Sequence, residues 1–201
     1  MSHPVMLVTM TAAPLRKDAA RNWHRIVEVG RRLVDEGTPI QLNDVARAAS
    51  VGVATVYRHF PTPEALVETV ATPGFEALLA QAERALACDD PYAGLRDFLY
   101  ASVDGLLADA SLSPVFAAPV NVLPHTAELK QRLADLSGRI LERAHAAGAV
   151  DPEVTQDHVV PLMCGVVYAA SMHPATGADD RAAAGRRFLT VMLEGLRVRA
   201  N

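Results

Sequence analysis

Apolar residues recur at spacings of three and four along most of this chain, and no stretch makes a convincing strand. Trp23, Ile26, Val27, Gly30, Leu33 and Val34 form one such stripe. Leu95, Phe98, Leu99, Ser102, Val103, Leu106 and Leu107 form a second; Leu129, Leu133, Leu136, Ile140 and Leu141 a third; and Phe188, Leu189, Met192, Leu193 and Leu196 a last. A helix with one apolar face must bury it against another element, so the pattern predicts an all-α protein of about nine helices packed on one another. Of the 201 residues 50% are hydrophobic but only 5% aromatic, so Leu, Val and Ala supply the interior.

Punctuation divides the chain. Gly37 and Pro39 end the first helix near Glu36, because glycine takes the left-handed cap conformation and proline cannot continue a helix. A short helix over Leu42 to Ala48, a turn Ala49-Ser50-Val51-Gly52 and a second short helix from Val53 to about His59 follow. Thr62, Pro63 and Glu64 read as N-cap, first helical position and dipole-stabilising acid of a fourth helix, which a break or kink at Pro73-Gly74 interrupts before it runs on to Cys88. Pro114, Pro119 and Pro124 mark an irregular or short-helical stretch, Gly148 a cap, and Asp151-Pro152-Glu153 the start of the next helix; the last runs roughly from Arg181 to Arg199. The expected division is a flexible tail over 1–15, a helix-turn-helix unit over 16–62 and a larger helical domain over 63–201.

Two short helices joined by a turn of small residues, behind a longer first helix, are the unit that lays a helix in the major groove of DNA. Ala46 and Ala49 are small where the pair must approach closely, and Val45, Val51 and Val56 supply a miniature core. Val53, Ala54, Thr55, Tyr57, Arg58 and His59 then offer methyl, hydroxyl and charged groups that suit thymine methyls, phosphates and guanine edges. Arg47 reads equally as a phosphate contact or a surface charge, and Thr62 is grouped with the DNA side. Residues 1–60 hold eight basic residues against five acidic ones, and since the formal net charge is −4, the remainder carries −7. A basic head on an acidic body approaches phosphates with one end. Arg16, Lys17 and Arg21 read either as a minor-groove arm or as a solvated tail.

Residues 20–72 resemble the tetracycline-repressor (TetR) family of bacterial regulators. The likeness rests on Arg25-Ile26-Val27, Leu33, Gly37, the run from Asn43 to Phe60 with its ending Thr55-Val56-Tyr57-Arg58-His59-Phe60, and Glu64-Ala65-Leu66. It implies that Thr55, Tyr57 and His59 contact phosphates, that exposed positions of the third helix read bases, and that the last two helices pair with those of a second copy in a four-helix bundle. It also implies a C-terminal ligand domain in which a small effector shifts the dimer away from its operator. Three departures stand out: Ser50-Val51-Gly52 where the family has Gly-Val-Ser, Pro63 in place of a lysine, and Gln41 in place of a capping threonine.

The C-terminal half carries no equally specific motif. Phe98, Phe116, Met163, Tyr168 and Met172 are adaptable side chains on central helices and stand as pocket candidates beside the plainer reading of core packing. Val159 to Met172 is apolar on nearly every face, as in a helix buried all round or packed on a second subunit; Val159, Val166, Phe188, Met192 and Leu196 are the candidate dimer contacts. Pro161 interrupts that stretch, so no membrane span is expected. Cys88 and Cys164 lack the spacing of a zinc site, and His125, His145, His158 and His173 lack that of any metal. No nucleophile–base pair or phosphate-binding glycine loop is present, so neither cofactor nor catalysis is expected. The sequence therefore predicts a cytoplasmic, homodimeric regulator that binds a palindromic double-stranded operator and is released from it by a small molecule. The alternatives are a regulator without an effector, controlled by concentration or a protein partner, and a helical enzyme.

Overall fold

The computed structural model describes residues 12–174 and 177–196. Among these are nine helices and no strand: α1 (Ala12–Asp35), α2 (Leu42–Ala48), α3 (Val53–His59), α4 (Pro63–Ala87), α5 (Pro91–Ala108), α6 (Leu112–Ala117), α7 (Pro124–Ala146), α8 (Gln156–Met172) and α9 (Ala178–Leu196). The all-α expectation holds. Of the tail expected over 1–15, residues 1–11 lie outside the described residues, and from Ala12 the backbone is already helical. Pro14 falls in the first turn, where its missing N–H would have had no partner in any case.

The caps follow residue chemistry. Thr62 Oγ1 accepts from the Ala65 amide at 3.2 Å, and Asp90 Oδ1 accepts from Tyr92 and Ala93 at 2.9 and 3.1 Å, each ahead of a proline at the first helical position. Gly37 and Gly148 close α1 and α7 at φ of +67° and +65°. Two boundaries differ from expectation. α4 carries Pro73 inside it, so of the break or kink expected there the break does not occur, and α8 begins at Gln156 instead of Asp151. There Val150 is buried, the Asp151 amide donates to the Leu196 carbonyl at 3.0 Å, and Asp151 Oδ1 accepts from Glu153, which makes the Asp-Pro-Glu segment a turn pinned to the end of α9.

The interior has two centres. One gathers Ile26, Val45, Ala46, Val56, Phe60, Leu66 and Val70 from α1 to the first half of α4; the other gathers Phe75, Leu79, Leu99, Val103, Ile140 and Leu189 from the second half of α4 onward. α4 therefore belongs to both. Its companion is α7, and the two cap each other. Glu68, 4% exposed on α4, accepts from the amides of Val122 and Leu123 at 2.8 and 2.9 Å, just where α7 begins. Arg143 on α7 donates to the carbonyls of Leu86 and, at 2.9 Å, Cys88, where α4 ends. Charges of these signs suit those helix termini.

Candidate functional site

α3 is seven residues long, and nearly all of its stability comes from packing. Val56 is fully buried against Val45 and Ile26 of the same cluster, and Phe60, 3% exposed, closes the unit beside Trp23 at a ring separation of 6.4 Å. Anchored on that side, the helix presents the other. Val53 and Tyr57 are 46% and 47% exposed, Ala54 and Arg58 are exposed beside them, and Thr55 and His59 are half-buried at the edge. Arg58 makes no ion pair among the described residues. Arg47, at the end of α2, holds Asp44 at 3.0 Å through an exposed contact that solvent and salt weaken.

The turn into α3 is formed as its sequence requires. Ser50 has φ of +53°, in the left-handed region that glycine occupies without penalty, so the serine bears strain there. Gly52 caps α3 with no side chain to bond the free amides. Thr62 uses its oxygen to cap α4, which leaves its hydroxyl proton as its remaining donor. His59 lies against Phe60, and its Nε2 is covered and has no hydrogen-bond partner among the described residues.

Below this unit, a cavity of about 220 Å³ opens among α4 to α8. Phe98, Phe116 and Met163 line it, as expected of them. Tyr168 does not; with Phe116 it borders a separate, open hollow of about 480 Å³. Met172 borders neither and is 67% exposed. Polar groups that were not among the pocket candidates join the cavity wall: Ser102, Lys130, Ser137 and Gln156. Lys130 was legible in principle, because positions 130, 133, 137 and 141 recur along one face of α7 and all four line the cavity.

Residues 26–70 match the bacterial regulatory proteins of the tetR family, and residues 90–198, more than half of the chain, match the C-terminal domain of SbtR-like transcriptional regulators. The chain belongs to the TetR family. A TetR transcriptional regulator of Streptomyces coelicolor is 27% identical, with 88% of this chain and 99% of that one covered, at a TM-score of 0.55. The transcriptional regulator FadR of Bacillus subtilis, solved with stearoyl-CoA, has the same fold at 14% identity, covering 87% of this chain and 100% of its own, with a TM-score of 0.65. An HTH-type transcriptional regulator of Staphylococcus aureus (strain USA300) is 42% identical over 48 residues. That match spans 23% of this chain and 26% of the relative, about a quarter of its length.

In this TetR chain three of the five candidate dimer contacts are buried within the chain itself and two are half-buried. Val159, Val166 and Leu196 are 8%, 8% and 6% exposed and point into the protomer's own core, and Phe188 and Met192 pack against that core half-buried. The large apolar side chains left open on α8 are Val160, Leu162, Tyr168 and Met172, with Val191 on α9. A helix apolar all round does not reveal which side its own protomer claims. Among the described residues no helix is long and apolar enough to cross a membrane, and no group of three or more His, Cys, Asp or Glu is placed to hold a metal.

Proposed function

We propose that this TetR-family chain is a homodimeric transcriptional repressor that binds a palindromic double-stranded operator through α3 and is released from it by a small molecule. The observation that carries the reading is the exposed face of α3. Val53, Ala54, Tyr57 and Arg58 stand clear of a helix whose opposite side is locked by the fully buried Val56. Val53 and Ala54 are shaped for thymine methyls, Arg58 for a guanine edge or phosphate, and Tyr57 and Thr55 for phosphates. Arg47, loosely held by Asp44, swings to a phosphate at little cost. His59 reaches a phosphate only if its ring turns or its other nitrogen does so, since Nε2 is covered; Thr62 has one proton to give.

Two further features support the rest. The open apolar face of Leu162, Tyr168, Met172 and Val191 is what a second copy would cover, which would set two α3 helices for successive major grooves. The cavity of about 220 Å³ gives an effector somewhere to bind, and the Bacillus subtilis relative of this fold holds a small molecule. Regulation from within the cytoplasm, without catalysis, completes the reading.

Binding to DNA upstream of the chain's own reading frame and its neighbours, followed by gel shift across a salt series, tests it. Affinity should fall steeply with salt, and Tyr57→Ala should weaken it roughly tenfold. Salt-independent or absent binding would overturn the assignment, and a monomer by light scattering would overturn the dimer. A reporter that falls when the protein is removed would make it an activator.

A further inference from the structure

The cavity among α4 to α8 has an uneven wall. Leucine, phenylalanine, valine and methionine make up most of it, and its few polar groups are largely engaged. Ser102 Oγ donates to the Phe98 carbonyl at 2.8 Å and Ser137 Oγ to that of Leu133 at 2.7 Å. Gln156 Nε2 donates to the Ala134 carbonyl at 2.8 Å. Among the described residues, Lys130 is the one charged residue of the wall.

Its ammonium donates to the carbonyls of Val115 at 3.2 Å and Ala118 at 2.7 Å, at the end of α6, and an ammonium has three protons to give. It makes no ion pair among the described residues. Glu68 acts on it only through its field, since both Glu68 oxygens are taken by Asn121, Val122 and Leu123. A half-buried cation in an otherwise apolar wall, held by carbonyl dipoles and left with a spare donor, is incompletely neutralised. An organic cation would be repelled, and a sugar or nucleotide would leave most of its polar groups facing hydrocarbon. A ligand that brings one negative charge and an apolar body matches both parts of the wall.

We propose that the cavity takes an amphipathic organic monocarboxylate, its carboxylate on the Lys130 ammonium and its aliphatic or aromatic body among Phe98, Phe116 and Met163. This rests on the reading of the cavity as the effector site. The carboxylate replaces or shares the carbonyls at the end of α6, so occupancy reaches the segment that Glu68 ties to α4.

Octanoate, decanoate and 4-phenylbutyrate, each beside the alcohol of the same skeleton, serve as probes for calorimetric titration of the full chain. The carboxylates should bind roughly tenfold or more tightly than the alcohols, as a charge-assisted bond exceeds a neutral one. Lys130→Gln should bring that ratio to about one. The chain has two lysines, Lys17 and Lys130, so protein grown with lysine carbon-13 labelled at the ε-carbon gives one resonance for each. Decanoate should shift that of Lys130 and leave that of Lys17, a readout that needs no variant to fold. Equal binding of carboxylate and alcohol, or a preference that survives Lys130→Gln, overturns the monocarboxylate assignment and leaves the cavity as an effector site. Absence of binding by every probe, with no resonance shifted, overturns both.

Discussion

Arg31 of α1 and Asp109 at the end of α5 form an ion pair of 2.7 Å that bolts the helix-turn-helix unit to the larger domain. Arg31 also donates to Ser111 Oγ at 3.3 Å and to the Val70 carbonyl, and Asp109 Oδ1 accepts from the Ser111 amide and hydroxyl. The two side chains are 33% and 20% exposed, so solvent screens the pair only in part. Asp109→Ala leaves the guanidinium without its charged partner and the Ser111 amide without its acceptor, and should lower stability by about 1–2 kcal/mol in urea titration. A loss within error of zero would mean that apolar packing alone fixes the two units.

Ser50 offers a gain. Ser50→Gly keeps the backbone at φ of +53° and removes the side chain that is strained there. The unfolded chain becomes freer, which offsets part of the relief, and the net should be about 0.5–1 kcal/mol of added stability. Thermal unfolding measures it. A less stable variant would show that the serine side chain makes a compensating contact.

Gly52→Ser should act on the neighbouring cap. Among the described residues a β-carbon at this position meets only Thr55 Oγ1, at an ordinary 3.7 Å, and a hydroxyl beyond it can accept from the open amides of α3. Stability should rise by a few tenths of a kcal/mol, since serine caps better than glycine by about that much. Operator affinity should rise as well if fraying of α3 opposes docking, which a gel shift of the two proteins side by side would reveal.

Lys130 makes stability depend on pH in a defined direction. Burial holds its ammonium below the ordinary 10.5, and the field of Glu68 opposes this in part. The folded chain therefore gives up the proton first. From the folded titration up to the ordinary lysine range the unfolded chain holds more protons, so stability rises with pH there. Lys130→Met should flatten that rise in urea titrations from neutral pH upward; an unchanged slope would assign it to other groups.

The helix-turn-helix could be read in the sequence because its signals are local. Gly37, the small residues around Ser50 and the capping pair Thr62-Pro63 each act within a few positions, and α2, α3 and the start of α4 appear where those residues put them. What the sequence concealed depends on residues far apart. Asp151-Pro152 carries the signature of a helix start, but its amide is held by Leu196, forty-odd positions away. Pro73 carries the signature of a break, yet packing on both sides of it keeps α4 continuous. Tyr168 and Met172 share a helix with the cavity-lining Met163 but lie on its other face, and an apolar helix does not say which face is which. Lys130 shares one face of α7 with Leu133, Ser137 and Leu141, but only the packing of α4 to α8 makes that face a cavity wall.

The reciprocal capping of α4 and α7 has a dynamic consequence. Glu68 completes the start of α7 and Arg143 the end of α4, so neither helix can fray at those ends while the other stays docked. Amide hydrogens of Val122 and Leu123 should then exchange with solvent at the rate of those near Cys88, despite the intervening stretch of chain, and Glu68→Ala should accelerate both sets together. The two helices would open as one exchange unit, and α4 carries that unit into the core behind α3.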